Sequence, residues 1–272
     1  MNPKMVMAGG QRIATYDSGG EGTAVFFLHG NSASSLTFKA QLEGDFGKKY
    51  RAVAMDLPGH GESEKAADPE NTYHMPGYAA VLADVAQQLG VEDGVFVGWS
   101  LGGHIVLEAH QLLSKAAGFA IFGTPPLAYP PDMENGFLPN PNMAAAFADA
   151  LTPEQMKGFA EACLAPNSSL DLAPFVADIA RTDGLARATM GGSIAPGNYA
   201  DEVEIVKRLK RPLAILQGEH EQLVNPNYFG MIEIPTLWRG SIQTIQDAGH
   251  TPQVENAAAF SKVIADFVDD VA

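Results

Sequence analysis

Gly94-Val95-Phe96-Val97-Gly98-Trp99-Ser100-Leu101-Gly102-Gly103 is the stretch that decides the fold. Its apolar run, Val95 to Val97, stops at a glycine-flanked serine and passes at once into a helical pattern, Leu101 to Leu113. A serine at such a strand-to-helix turn projects from strained backbone, where neighbouring side chains would collide. Gly98 and Gly102 remove those side chains. The start of the helix brings the Leu101 N–H and the helix dipole beside a reacting carbonyl oxygen. Ser100 is the candidate nucleophile and Leu101 a candidate oxyanion donor.

Outward from this turn the same rhythm repeats. Continuous apolar runs occur at 24–28, 52–55, 94–97, 119–122 and 213–216, and a similar strand run is expected at 242–245, where Ile242 and Ile245 flank Gln243 and Thr244. Runs apolar on both faces predict a parallel sheet covered by helices above and below. Residues 12–16 alternate polar and apolar and predict a half-buried antiparallel edge strand. Helices are expected at 37–47, 75–89, 101–113 and 256–271, and Val81, Leu82, Val85 and Leu89 share one helical face. Strand then helix, repeated, is a doubly wound α/β pattern. Residues 128–200 break it. They open as an extended loop rich in Pro and Asn, then give helical patterns at 143–150, 153–164, 171–181 and 184–190 with no strand. The expected division is a core of 1–127 and 201–272, with a helical lid of 128–200 inserted between two strands.

A chain of 272 residues suits one large core. With 46% hydrophobic and 18% charged residues it is too apolar for disorder. A net charge of -15 repels phosphate backbones and anionic lipid, so no nucleic-acid or membrane partner is expected. No apolar run reaches the ~18 residues of a membrane span, and the N-terminus lacks the apolar region of a signal peptide. Cys163 is the one cysteine and makes neither a disulfide nor a zinc site by itself. It reads as a core or lid residue, and a lone thiol suits the cytoplasm. No metal-ligand cluster is visible, and neither metal nor organic cofactor is expected. Composition and spacing leave the oligomeric state open.

A hydroxyl is a weak nucleophile near neutral pH and needs a base. Of seven histidines, His104 and His110 lie on the helix after Ser100 and read as packing or surface residues. His29 and His60 sit in turns as structural imidazoles, His74 in an exposed polar stretch, and His220 between two glutamates. His250 follows the last strand run, at the sheet edge where α/β sites form, and is the candidate base. The loop after 213–216 turns at Gly218 and offers Glu221 as the acid that orients the base, with Glu219 and Asp247 as rivals. The order serine, acid, histidine is the one this kind of fold requires. A second oxyanion donor is the Asn31 N–H, at the end of the run 24–28, with the Asn31 side chain at the pocket floor.

Taken together, HGNS at 29–32, DLPGHG at 56–61, GWSLGGH at 98–104 and DAGH at 247–250 resemble the α/β-hydrolase superfamily over nearly the whole chain. The resemblance implies the α/β-hydrolase fold, a mostly parallel eight-stranded sheet flanked by helices with an inserted helical lid. Within the superfamily the chain is most similar to the N-acyl-homoserine lactonases of α/β-hydrolase type, through QLEG at 41–44, GTPP at 123–126 and, inside the lid, ARTDG at 180–184. That similarity implies a small-molecule ester or lactone with an acyl chain as substrate, and quorum quenching by ring opening. Ser100, Glu221, His250, Leu101 and Asn31 fall on the matching positions. Such lactonases place a lid tyrosine near the substrate's polar head; the corresponding residue here is Phe159, which has no hydroxyl to offer. Phe137, Met143, Phe147, Met156, Phe159 and Phe175 are expected to line an acyl tunnel, with Trp99 a further substrate contact. A carboxylesterase, C–C hydrolase or perhydrolase-like enzyme would use the same three residues, and a non-catalytic ligand receptor is the reading from another class. Epoxide hydrolases and haloalkane dehalogenases of this fold carry aspartate where this chain has Ser100.

Overall fold

The apolar runs of the sequence become the strands of a single sheet. The computed structural model describes residues 1–272. Its strands are β1 (Lys4–Ala8), β2 (Gln11–Asp17), β3 (Ala24–Leu28), β4 (Arg51–Met55), β5 (Val95–Trp99), β6 (Gly118–Phe122), β7 (Leu213–Gly218) and β8 (Gln243–Ile245). Their spatial order is β1-β2-β4-β3-β5-β6-β7-β8. β2 runs antiparallel to both its neighbours, and every pairing from β4 to β8 is parallel. This is the eight-stranded, mostly parallel sheet expected of an α/β-hydrolase fold.

Alternate residues along each strand feed two separate cores. Phe26, Val53, Phe96, Ile121 and Ile215 belong to one; Phe27, Ala54, Val97, Phe122 and Leu216 belong to the other. Each large side chain so buried contributes about 1.5–3 kcal/mol. The helix Met75–Leu89 covers one face with Tyr78, Val81, Leu82 and Val85 and ends at Gly90, whose φ of 64° is the left-handed form glycine adopts freely. The closing helix Ala257–Val271 covers the other face with Phe260, Ile264, Phe267 and Val268.

Three local expectations need correction. The half-buried strand near residue 12 is not an edge, because β1 pairs along its outer side. β1 escaped notice because only Val6 and Ala8 of its five residues are buried. The helix expected over 37–47 divides at Gly44, which is extended between Lys39–Glu43 and Asp45–Lys49; a Cβ at Gly44 would strike the Ala40 carbonyl. The helix after Ser100 ends at Glu108 and continues only as a tighter turn, Ala109–Gln111.

Between β6 and β7 the chain forms helices and loops, including Pro153–Ala162, Ala173–Arg181 and Gly184–Ile194, with a single β-bridge from Phe137 to Val224. Ala145, Phe159, Ala160 and Ile179 give this segment a small core of its own. It is anchored to the sheet layer by Asp183, which accepts from Tyr73 Oη at 2.9 Å and whose N–H donates to the Gly59 carbonyl at 2.8 Å. No helix is long and apolar enough to cross a membrane.

Candidate active site

The loops that leave the C-terminal ends of β3, β5, β6, β7 and β8 carry Asn31, Ser100, Gly123, Glu221 and His250 to one edge of the sheet. Ser100 has φ 53° and ψ -120°, a conformation costly for a residue with a Cβ. The turn is tolerated because its neighbours are bare. A Cβ on Gly98 would strike the Gly102 carbonyl, and one on Gly102 the Leu28 carbonyl. Hydrogen bonds then hold it: Ser100 N–H to Phe122 O at 2.9 Å and Thr124 Oγ1 to Ser100 O at 2.8 Å. Leu101 opens the helix Leu101–Glu108, where first-turn N–H groups lack intrahelical acceptors.

His250 is 3% exposed. Its Nδ1 lies 3.0 and 2.9 Å from the two Glu221 oxygens, and Glu221 also accepts from the Leu223 N–H at 2.8 Å. A carboxylate on Nδ1 makes that nitrogen the proton donor and leaves Nε2 free to accept. The rival acids Glu219 and Asp247 are exposed and do not reach the imidazole; Glu219 accepts the Asp247 N–H at 3.1 Å. Gly123, with φ 59°, supports the imidazole from beneath: a Cβ there would sit 2.6 Å from His250 Cε1. Trp99 Nε1 donates to the His250 carbonyl at 2.7 Å.

Ser100 and His250 line one cavity, together with Asn31, Trp99, Phe159 and Leu223. They face it without a direct hydrogen bond, a gap that ligand-free active sites commonly close on binding substrate. A second, mostly apolar cavity adjoins it, sharing Ser100, Asn31, Phe137 and Met143 and continuing past Phe147. The Asn31 N–H donates to no acceptor within the protein. Its side chain is committed to the inserted segment, Nδ2 donating to the Ala146 carbonyl at 2.6 Å. Phe175 lines a third cavity on the far side of Phe159. Met156 does not join these walls. Phe159 and Cys163, one helical turn apart, occupy the cavity side, and Met156 packs against the small core of the inserted helices.

The model of the alpha/beta hydrolase family matches residues 25–263. The chain belongs to that family. A solved structure of the N-acyl homoserine lactonase AidH, complexed with N-butanoyl homoserine, superposes on this α/β hydrolase with a TM-score of 0.95 at 36% identity, covering 100% of this chain and 98% of that one. The non-heme haloperoxidase of Rhodococcus erythropolis is 30% identical over 232 residues, 77% of this chain and 78% of its own. The 2-hydroxy-6-oxononadienedioate/2-hydroxy-6-oxononatrienedioate hydrolase of Cupriavidus pinatubonensis is 24% identical over 274 residues, 94% of this chain and 90% of its own. Like the lactonase and the dienedioate hydrolase, this α/β hydrolase is an enzyme of the hydrolase class.

Its remaining histidines fall into distinct settings. His29 and His60 are fully buried in their turns, with the Leu57 N–H donating to His29 Nε2 at 2.9 Å and His60 Nδ1 3.0 Å from the Pro58 carbonyl. Burial pushes their pKa values down to about 4 and about 3. His74 is half-buried rather than exposed and caps the helix Met75–Leu89, accepting from the Gly77 N–H at 3.1 Å. His104, read from sequence as packing or surface, is buried with Nδ1 3.0 and 2.8 Å from the oxygens of Glu202. No local pattern links positions 98 residues apart, so the pair was invisible in the sequence, as was the support that Gly123 gives His250. Cys163 is buried, and burial together with the nearby Glu221 and Glu255 charges pushes its thiol pKa far up, away from thiolate chemistry. On the surface, Glu219, His220 and Asp247 bring ligand atoms within 4.8 Å of one another, though exposed acidic groups commonly cluster without an ion.

Proposed function

We propose that this α/β hydrolase opens the ring of acyl lactones, N-acyl-homoserine lactones foremost, through an acyl-enzyme on Ser100. The observation that carries the reading is the imidazole of His250, gripped at Nδ1 by both oxygens of Glu221 and facing the cavity that Ser100 shares. His250 Nε2 takes the Ser100 proton as Oγ attacks the lactone carbonyl carbon. The oxyanion lies against the Asn31 and Leu101 N–H groups, each worth about 3–4 kcal/mol in such sites. The ring C–O bond then breaks, and His250 returns the proton to the departing ring oxygen. A water, deprotonated by His250, attacks the ester on Ser100 and frees the hydroxy acid. Residues 128–200 act as the lid, and the acyl chain runs into the apolar cavity beside Phe137, Met143 and Phe147.

The likeness to the AidH lactonase supports this substrate class. That protein is solved with the ring-opened N-butanoyl homoserine, and its serine-to-glycine variant with N-hexanoyl homoserine lactone. A general carboxylesterase is the second reading, favoured by Phe159, whose ring lines the cavity without offering a hydrogen bond. Mass spectrometry separates the two. Incubation with N-hexanoyl homoserine lactone is expected to give one product heavier by a water, and none with Ser100→Ala. Turnover of p-nitrophenyl hexanoate with the lactone left intact would favour the esterase.

A further inference from the structure

We infer that His104, held in place by Glu202, is the contact for a hydroxyl on the substrate's acyl chain. The inference rests on the reading above, in which an acyl chain enters the cavity beyond Ser100. Polar side chains on the wall of that cavity come from Asn31, Ser100 and His104 alone. Asn31 is tied to the Ala146 carbonyl and Ser100 is assigned to bond breaking, which leaves His104. Its Nδ1 is bracketed by the oxygens of Glu202, a residue at 0% exposure that also accepts the Leu127 N–H at 2.7 Å. Glu202 thereby fixes Nδ1 as a donor and sets the ring orientation.

The second ring nitrogen, Nε2, makes no hydrogen bond to protein, although His104 is 7% exposed in an otherwise apolar wall. A role confined to bridging the helix Leu101–Glu108 and the helix Glu202–Arg208 would not need an imidazole facing the cavity. A hydroxyl suits Nε2 in either protonation state, since it donates to the neutral ring and accepts from the cation; a keto oxygen only accepts. Position agrees as well. His104 lies one turn, about 5.4 Å of rise, into the helix that Ser100 caps, its N–H donating to the Ser100 carbonyl at 3.3 Å. In an N-acyl-homoserine lactone, carbon 3 of the acyl chain stands about five bonds, or roughly 6 Å, from the reacting carbonyl carbon.

The test compares N-(3-hydroxyhexanoyl) with N-hexanoyl homoserine lactone. The unaltered enzyme is expected to favour the hydroxylated substrate about tenfold in kcat/KM, the size of one well-made hydrogen bond. His104→Phe is expected to bring the ratio to about one, and Glu202→Gln to raise KM selectively for the hydroxylated substrate, which loss of packing alone would not do. Equal kcat/KM for the two lactones in the unaltered enzyme overturns the inference whether or not the variants fold. So does a preference that survives in folded His104→Phe. The p-nitrophenyl esters of the two matching N-acylglycines keep the spacing without a ring. Turnover of these esters but not of the lactones would sink the lactone reading, while their ratio still judges His104. Should neither pair turn over, the Kd ratio of the two free N-acylglycines, by calorimetry, decides it.

Discussion

Ser100 keeps a strained φ of 53° only because Phe122, Thr124 and two bare glycines over-determine its turn. Its replacement by alanine is expected to cost at least about a thousandfold in kcat with little change in melting temperature, since the hydroxyl holds no structural bond. Gly123 behaves in the opposite way. A methyl at that position meets the His250 ring at 2.6 Å and sits at a left-handed φ, so Gly123→Ala is expected to lower stability by about 1–3 kcal/mol and kcat with it. Urea denaturation beside a kinetic assay checks both halves, and an unchanged kcat would remove Gly123 from the support of the base. His29 and His60 predict a pH effect on the fold itself. Their pKa values fall from 6.5 to about 4 and about 3 in the folded chain, so the unfolded chain binds more protons below pH 6.5. Stability is fully present above that pH and is lost as pH falls toward about 4 and on through 3. A urea midpoint that stays flat from pH 7 to about pH 4 would contradict this.

At the scale of elements, much of the architecture was written in the sequence. Runs such as Val95–Val97 and Phe119–Phe122 are apolar at every position because both faces of their strands are covered, so β3 to β7 and their order along the chain could be read directly; β8 rests on Ile245, the one buried residue of its three. The turn at Ser100 and the loop carrying His250 followed from those strands. What the sequence hid was long-range pairing: β1 as a mostly exposed edge, Glu202 under His104, and the role of Arg187. Nothing around position 187 says where a guanidinium goes. In the fold it is buried and donates to the Ala148, Asp149 and Ile179 carbonyls at 2.8, 3.0 and 3.2 Å, gathering three stretches of the inserted helices. Arg187→Ala leaves those carbonyls without a donor and is expected to destabilise the segment by about 2–4 kcal/mol. Limited proteolysis is expected to cut first between residues 140 and 190. Cleavage confined to the sheet layer would show that Arg187 does not hold the helices.

For the whole molecule, a charge of -15 on 272 residues is spread over a surface whose ion pairs are mostly exposed. Self-repulsion among the excess carboxylates opposes the compact state. Raising salt from about 0.01 M to about 0.2 M shortens the screening length from roughly 30 Å to below 10 Å, and is expected to raise the melting temperature by a few degrees; a fall would show that the attractive pairs dominate. Distant parts of the chain are also joined by single bonds, and one of these has an optical consequence. The indole of Trp99 sits 5.8 Å from the imidazole of residue 250 and is hydrogen-bonded to that residue's backbone across 151 positions of chain. The only other tryptophan, Trp238, meets Phe267 edge to face and lies beneath the Arg239 guanidinium. Trp99 is buried, so in a Trp238→Phe background the remaining indole reports on the loop that carries residue 250, and its emission is expected to shift to the red when denaturant frees that loop and wets the ring.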